Sequence, residues 1–128
     1  MSKNLPELPK RCVIYTRCAA SQANREDLIM QEKICTDFIA MHEKQNWVFI
    51  SKIYEDNGLS GMTLERPALK ELLQDAEKDL FDIVICDAIE RFSRELQHHD
   101  YIIAELEKHN VSVVFAQDTQ RDDDAKIS

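Results

Sequence analysis

Arg91 and Arg94 stand three residues apart in "ERFSR", and Arg17 closes the apolar run "CVIYTR". A guanidinium is planar, permanently charged and rich in donors. Two of them on one helical face, joined by a third from a strand end, would grip a phosphate and offset negative charge gathering on it. The same spacing also reads as surface ion-pair arginines beside Glu65, Glu90 and Glu95, which would contribute little. Arg17 is followed by Cys18, Ala19, Ala20 and Ser21, so the groups near it that could attack an electrophile are one thiol and one hydroxyl. Cys18 would need its thiol acidified by the neighbouring arginine.

These residues must be positioned by one modest domain. The chain has 128 residues, 44% hydrophobic and 31% charged, with two glycines, three prolines, no repeat and no low-complexity tract. Its apolar runs, such as "FDIVIC", are too short to span a bilayer, and "MSKNLPELPKR" lacks the apolar stretch of a signal peptide; the expected location is the cytoplasm, without membrane contact. Cys12, Cys18, Cys35 and Cys86 form no C-x-x-C pair and read as reduced, structural thiols. The histidines at 42, 98, 99 and 109 share no metal spacing with them and read as solvated surface, so no metal is expected. A net charge of −8 opposes binding of a polyanion by the overall field, leaving only a local cluster of arginines to do so.

Hydrophobic periodicity predicts alternating strands and helices. "RCVIYT" reads as a strand covered on both faces, followed by a helix from about Asn24 to Gln45 with Leu28, Cys35, Phe38 and Ile39 on one stripe and Asn24 as its N-cap. "WVFISKIYED" supplies a second strand, and "DNGLSGMT" holds both glycines in a loop. Pro67 suits the first turn of a helix that buries Leu69, Leu72, Leu73 and Ala76. After the strand "FDIVIC", a third helix is expected from Ser93 or Arg94, with Leu96, Ile103 and Leu106 inward, and "VSVVFAQ" is the fourth strand. Strands joined by helical crossovers give an α/β fold: a mostly parallel central sheet of about four strands flanked by helices, with its active loops at the carboxyl ends of the strands. The expected organisation is a flexible segment 1–10, one domain over 11–118 and an acidic, frayed tail 119–128.

The chain resembles the resolvase-type catalytic domain of the serine site-specific recombinases, the superfamily of resolvases, invertases and large serine integrases. The likeness rests on "YTR" against Y-x-R-x-S, "LIMQ" against L-x-x-Q, "YEDNGLSG" against D-x-G-x-S-G, "LERPALKELL" against D-R-P-x-L-x-x-L and "IERFSR" against L-D-R-L-x-R, in that order from about Arg11 to Gln117. The resemblance implies DNA cleavage and rejoining without metal or cofactor. A serine hydroxyl attacks the scissile phosphodiester, leaving a 5′-phosphoserine and a free 3′-hydroxyl, while arginines stabilise the transition state. By position it assigns phosphate binding to Arg17, Arg91 and Arg94, and supporting roles to Tyr15, Gln31, Asp56, Arg66 and Glu90. It also implies self-association into dimers and tetramers of a longer protein, whose downstream parts would supply most of the DNA affinity.

The resemblance places the family nucleophile at Ala19, and a methyl group cannot attack phosphorus. Glu90 stands where the family more often has aspartate, and the glutamine expected at Ala23 lies one residue early, at Gln22. Ala19 fits an engineered Ser→Ala change or a naturally degenerate, inactive domain. Ser21 could replace the hydroxyl only if the loop were rebuilt by two residues, several ångströms on an extended chain, against a tolerance of about 1 Å for a catalytic group. Whether this chain is an enzyme thus stays open. A non-enzymatic partner or regulatory module of a recombinase assembly is the alternative, and a generic phosphoryl-binding domain is a third, weakened because "RCAASQAN" has no glycine for a phosphate loop.

Overall fold

A computed structural model describes residues 8–18, 25–57, 65–92 and 95–117. The elements run β1 (Lys10–Cys18), α1 (Arg25–Met41), β2 (Trp47–Asn57), α2 (Pro67–Glu77), β3 (Ile83–Cys86), α3 (Leu96–Lys108) and β4 (Ser112–Phe115), with short 3₁₀ turns at Glu43–Gln45 and Ile89–Arg91. The four strands form one sheet in the order β2-β1-β3-β4, and every pairing is parallel. This is the parallel α/β sheet expected from the sequence.

The two faces of the sheet bury different helices. Val13, Tyr15, Tyr54, Val84 and Cys86 pack against Leu69, Leu72 and Ala76 of α2 and Ile102 and Leu106 of α3. Cys12, Ile14, Ile83 and Ile85 pack against Cys35, Phe38 and Ile39 of α1. With a helix layer on each side, β1 is buried without interruption from Cys12 to Cys18, which is why its sequence is a continuous apolar run rather than an alternating one. Its neighbour β2 lies at the edge and alternates, leaving Val48 and Ile50 exposed. The pairing of β1 with β2 shifts between Cys12 and Ile14, whose partners are Phe49 and Ile53, and Ser51 in the extra stretch takes the left-handed conformation at φ 63°.

Both glycines of the chain, Gly58 and Gly61, lie outside the described residues, so other residues close the helix ends. Asp79 (φ 59°) and Asn110 (φ 63°) follow α2 and α3 in the left-handed conformation usual for glycine. After α3, the Asn110 amide donates to the Glu107 carbonyl and the Val111 amide to the Leu106 carbonyl, each at 3.0 Å, and both Val111 and Leu106 are buried. The same double closure follows α2, where Asp79 and Leu80 donate to Ala76 and Asp75.

Three expectations need correction. The first helix ends at Met41, because the chain turns through a 3₁₀ segment to bring Asn46 into position for β2. The third helix begins at Leu96 rather than at Ser93 or Arg94, and Leu96 is 72% exposed; Ile102 and Leu106 make the buried stripe, with Ile103 only half-buried. The histidines are not simply solvated. His42 sits between the rings of Phe38 and Trp47, 4.4 Å from each centroid, with Nδ1 2.8 Å from the Phe38 carbonyl, and His99 lies against Phe115 at 5.6 Å. Asn24, the expected N-cap of the first helix, lies outside the described residues.

All four cysteines are buried thiols. Burial pushes the Cys12 thiol up to about 11, and raises Cys35 and Cys86 as well, as expected of structural thiols.

Candidate functional site

In a sheet of order β2-β1-β3-β4, the chain leaves β1 toward one side and β3 toward the other, so a crevice opens beyond their carboxyl ends. Among the described residues, Arg17, Gln31, Asp56, Arg66 and Arg91 lie around it. Arg17 lies at the end of β1 and is only 2% exposed. Its backbone is held by the side-chain amide of Gln31 on α1: the Arg17 N–H donates to Gln31 Oε1 at 3.1 Å, and Gln31 Nε2 donates to the Arg17 carbonyl at 3.0 Å. Gln31 Nε2 also donates to Asp27 Oδ2, one helical turn earlier.

The Arg17 side chain reaches the turn after β3. Its Nε donates to the Arg91 carbonyl at 2.9 Å and its Nη2 to the Glu90 carbonyl at 2.7 Å. Arg66, fully buried at the start of α2, approaches the same turn from another side: Nη1 donates to the Arg91 carbonyl at 3.0 Å and Nη2 to the Phe92 carbonyl. One carbonyl thus accepts from two guanidinium groups. The Arg66 guanidinium also lies 5.8 Å from the Tyr15 ring centroid, a cation–π arrangement that stabilises a desolvated charge.

Asp56, at the end of β2, fixes where α2 begins. Its Oδ1 accepts from the Ala68 amide at 2.9 Å and its Oδ2 from the Leu69 amide at 3.0 Å, satisfying two donors at the helix start that have no intrahelical partner. The Tyr15 hydroxyl donates to Oδ2 at 2.7 Å. Burial, together with the Asp56 charge, raises the Tyr15 hydroxyl well above its ordinary value despite the opposing pull of Arg66, so it stays a proton donor. Asp56 therefore shapes the site by placing α2, and Arg66 with it.

Arg91 belongs to the 3₁₀ turn Ile89–Arg91 and not to α3, which begins at Leu96. Its Nε and Nη2 donate to the two carboxylate oxygens of Asp87 at 2.8 and 3.2 Å, and its Nη1 lies 3.4 Å from the Arg17 carbonyl. Burial works against the charge of Arg91, but the hydrogen bond and charge of Asp87 outweigh it and raise its pKa. Asp87, 4% exposed, escaped the sequence reading; its signal was the four-residue spacing of an acid before Arg91. Glu90 contributes its carbonyl to Arg17 while the residue as a whole is exposed. Ala19, Ser21 and Arg94 lie outside the described residues.

The described part of the site is thus a cationic cluster of buried Arg17 and Arg66 and half-buried Arg91 around one backbone turn, balanced by Asp56 and Asp87. Such a cluster can bind an oxyanion and stabilise charge developing on it. Among the described residues, no group of three or more His, Cys, Asp or Glu could hold a metal ion.

The family described as "Resolvase, N terminal domain" matches residues 12–127. A Bacillus subtilis (strain 168) protein named "Putative DNA recombinase" is 47% identical over 62 residues, which are 48% of this chain and 12% of that protein. Among solved structures, the N-terminal catalytic domain of TP901-1 integrase superposes with a TM-score of 0.71 at 28% identity, over 85% of this chain and 78% of that one. A resolvase family site-specific recombinase from Streptococcus pneumoniae, 19% identical, shares the fold with a TM-score of 0.68 over 85% and 73% of the two chains.

Proposed function

Because the chain belongs to the resolvase N-terminal domain family, we propose that its arginine cluster binds the scissile phosphate of DNA in site-specific recombination. The observation that carries this reading is the meeting of Arg17 and Arg66 on the Arg91 carbonyl, with Arg91 tethered beside them at the carboxyl ends of β1 and β3. The carbonyls of Glu90, Arg91 and Phe92 take donors that a phosphate oxygen could use, so binding requires a local shift of this turn.

In the reaction of a complete site, a serine oxygen attacks phosphorus, the bond to the 3′ oxygen breaks, and the proton lost by serine leaves with the 3′-hydroxyl. The guanidinium groups of Arg17, Arg91 and Arg94 offset the charge on the phosphoryl oxygens, and the phosphoserine ester conserves the bond energy for religation. Position 19 is the nucleophile's place in this reading, and with alanine there the chain binds without cutting. The protein acts in the cytoplasm on mobile or chromosomal DNA, associating as dimers and tetramers through parts of a longer polypeptide. Among the described residues, no helix is long and apolar enough to cross a membrane.

Restoring the hydroxyl tests the proposal. In a full-length context, Ala19→Ser is expected to yield a covalent protein–DNA adduct, stable in denaturing gels, on DNA carrying the correct site, while the unaltered chain yields none. If Ala19→Ser forms no adduct on such DNA, the enzyme reading is lost. The second reading, a non-enzymatic partner module, is favoured by Ala19 itself and predicts recruitment to recombinase–DNA complexes without any adduct.

A further inference from the structure

We infer that Asp87 is a positioning residue that holds Arg91 in the orientation the phosphate requires. The inference rests on the proposed phosphate site and adds to it a residue that neither the family motifs nor the sequence reading marked. Asp87 is fixed at both ends. Its carbonyl accepts the Gln117 amide at 3.0 Å beyond β4, and its side chain, 6% exposed, meets Arg91 through both carboxylate oxygens. The carboxylate occupies the edge of the guanidinium formed by Nε and Nη2, leaving Nη1 turned toward the end of β1, 3.4 Å from the Arg17 carbonyl.

That long contact is too weak to orient a side chain with so many rotatable bonds, so the two-point grip of Asp87 sets the direction. Asp87 also introduces negative charge near an anion site. Arg17 and Arg66 keep the crevice cationic, and the carboxylate sits on the edge of Arg91 facing away from the end of β1. Orientation therefore outweighs repulsion, and removing Asp87 weakens binding.

The test titrates inorganic phosphate into the chain while observing arginine side chains by ¹H–¹⁵N NMR. In the unaltered chain, the Arg91 Nε–H should give a resolved, slowly exchanging signal. Asp87→Asn should merge that signal with those of mobile arginines and raise the phosphate Kd about tenfold, the scale of losing a group that orients a ligand-binding side chain. Asp87→Glu, which restores a carboxylate, should recover part of both effects. On an Arg91→Ala background, Asp87→Asn should add nothing. An unchanged or tighter Kd in Asp87→Asn overturns the inference while leaving the site in place. A Kd indifferent to Arg91→Ala overturns the phosphate site itself, and Asp87's role with it. Should Asp87→Asn not fold, Asp87→Glu decides alone: an Arg91 Nε–H signal merged with those of mobile arginines beside an unchanged Kd overturns the inference.

Discussion

Gln31 pairs with Arg17 as a neighbouring strand would, its side-chain amide accepting from the Arg17 N–H at 3.1 Å and donating to the Arg17 carbonyl at 3.0 Å. Pairing of β1 with β3 ends at Ile14, so beyond that point a side chain from α1 completes the backbone bonding of the arginine. The functional end of the strand is thereby fastened to a helix, and the fastening is buried.

Gln31→Leu keeps the volume but removes both of these buried hydrogen bonds, leaving the Arg17 carbonyl with the long Arg91 contact. Each buried group left without a partner costs about 1–3 kcal/mol. The variant should lose about 2–4 kcal/mol, read as a lower urea midpoint with an unchanged slope.

Asp56 serves the helix start and the tyrosine at once, so its removal should cost more than that of its partner. Tyr15→Phe deletes one hydrogen bond to a carboxylate and should cost about 1.5–3 kcal/mol. Asp56→Ala also uncaps α2 and should cost about 3–5 kcal/mol. In thermal or urea unfolding, the double variant should be less destabilised than the two single losses combined, since they share a contact.

A pH dependence should arise at the opposite end of the sheet. Arg11 donates to both oxygens of Asp82 at 3.0 Å, and this hydrogen bond, supported by the Arg11 charge, holds the Asp82 carboxyl below its ordinary value. A depressed folded-state pKa contributes stability that is fully present above the unfolded value, near 3.9, and fades as pH falls toward the folded one. The stability difference between the unaltered chain and Arg11→Met should therefore be constant from pH 5 to 7 and shrink below about pH 4. Urea midpoints at pH 3 and pH 6 check it.

Asn110 offers the opposite sign. It holds φ 63° after α3 where glycine bears no side-chain penalty. Asn110→Gly should stabilise by roughly 0.5–1 kcal/mol, seen as a rise in Tm.

Much of this architecture was legible in the order of residues. The uninterrupted apolar run of β1, the Pro67 start of α2 and the crossover spacing specify a parallel sheet, and strand-end arginines specify where to look. What the sequence concealed was the reach of side chains across the fold. Asp56 caps a helix that begins eleven residues later, at Pro67, and nothing local announces it. Arg66 has a supporting role by resemblance, but its complete burial and its donation into the turn after β3 emerge only in the fold. Leu96 follows helical spacing, but the helix starts too late for it to turn inward. Periodicity reports which face is buried; it does not report a bond between elements distant along the chain.

The sheet order has a further consequence, for how the molecule is made. The first of the four strands to leave the ribosome is an inner one; of its two flanking strands, β2 follows after α1 and β3 only after α2 as well. Until β3 emerges, β1 carries an apolar ribbon with one side unpaired, so the strand that bears Arg17 is made before both of its sheet neighbours and is enclosed only once they have followed.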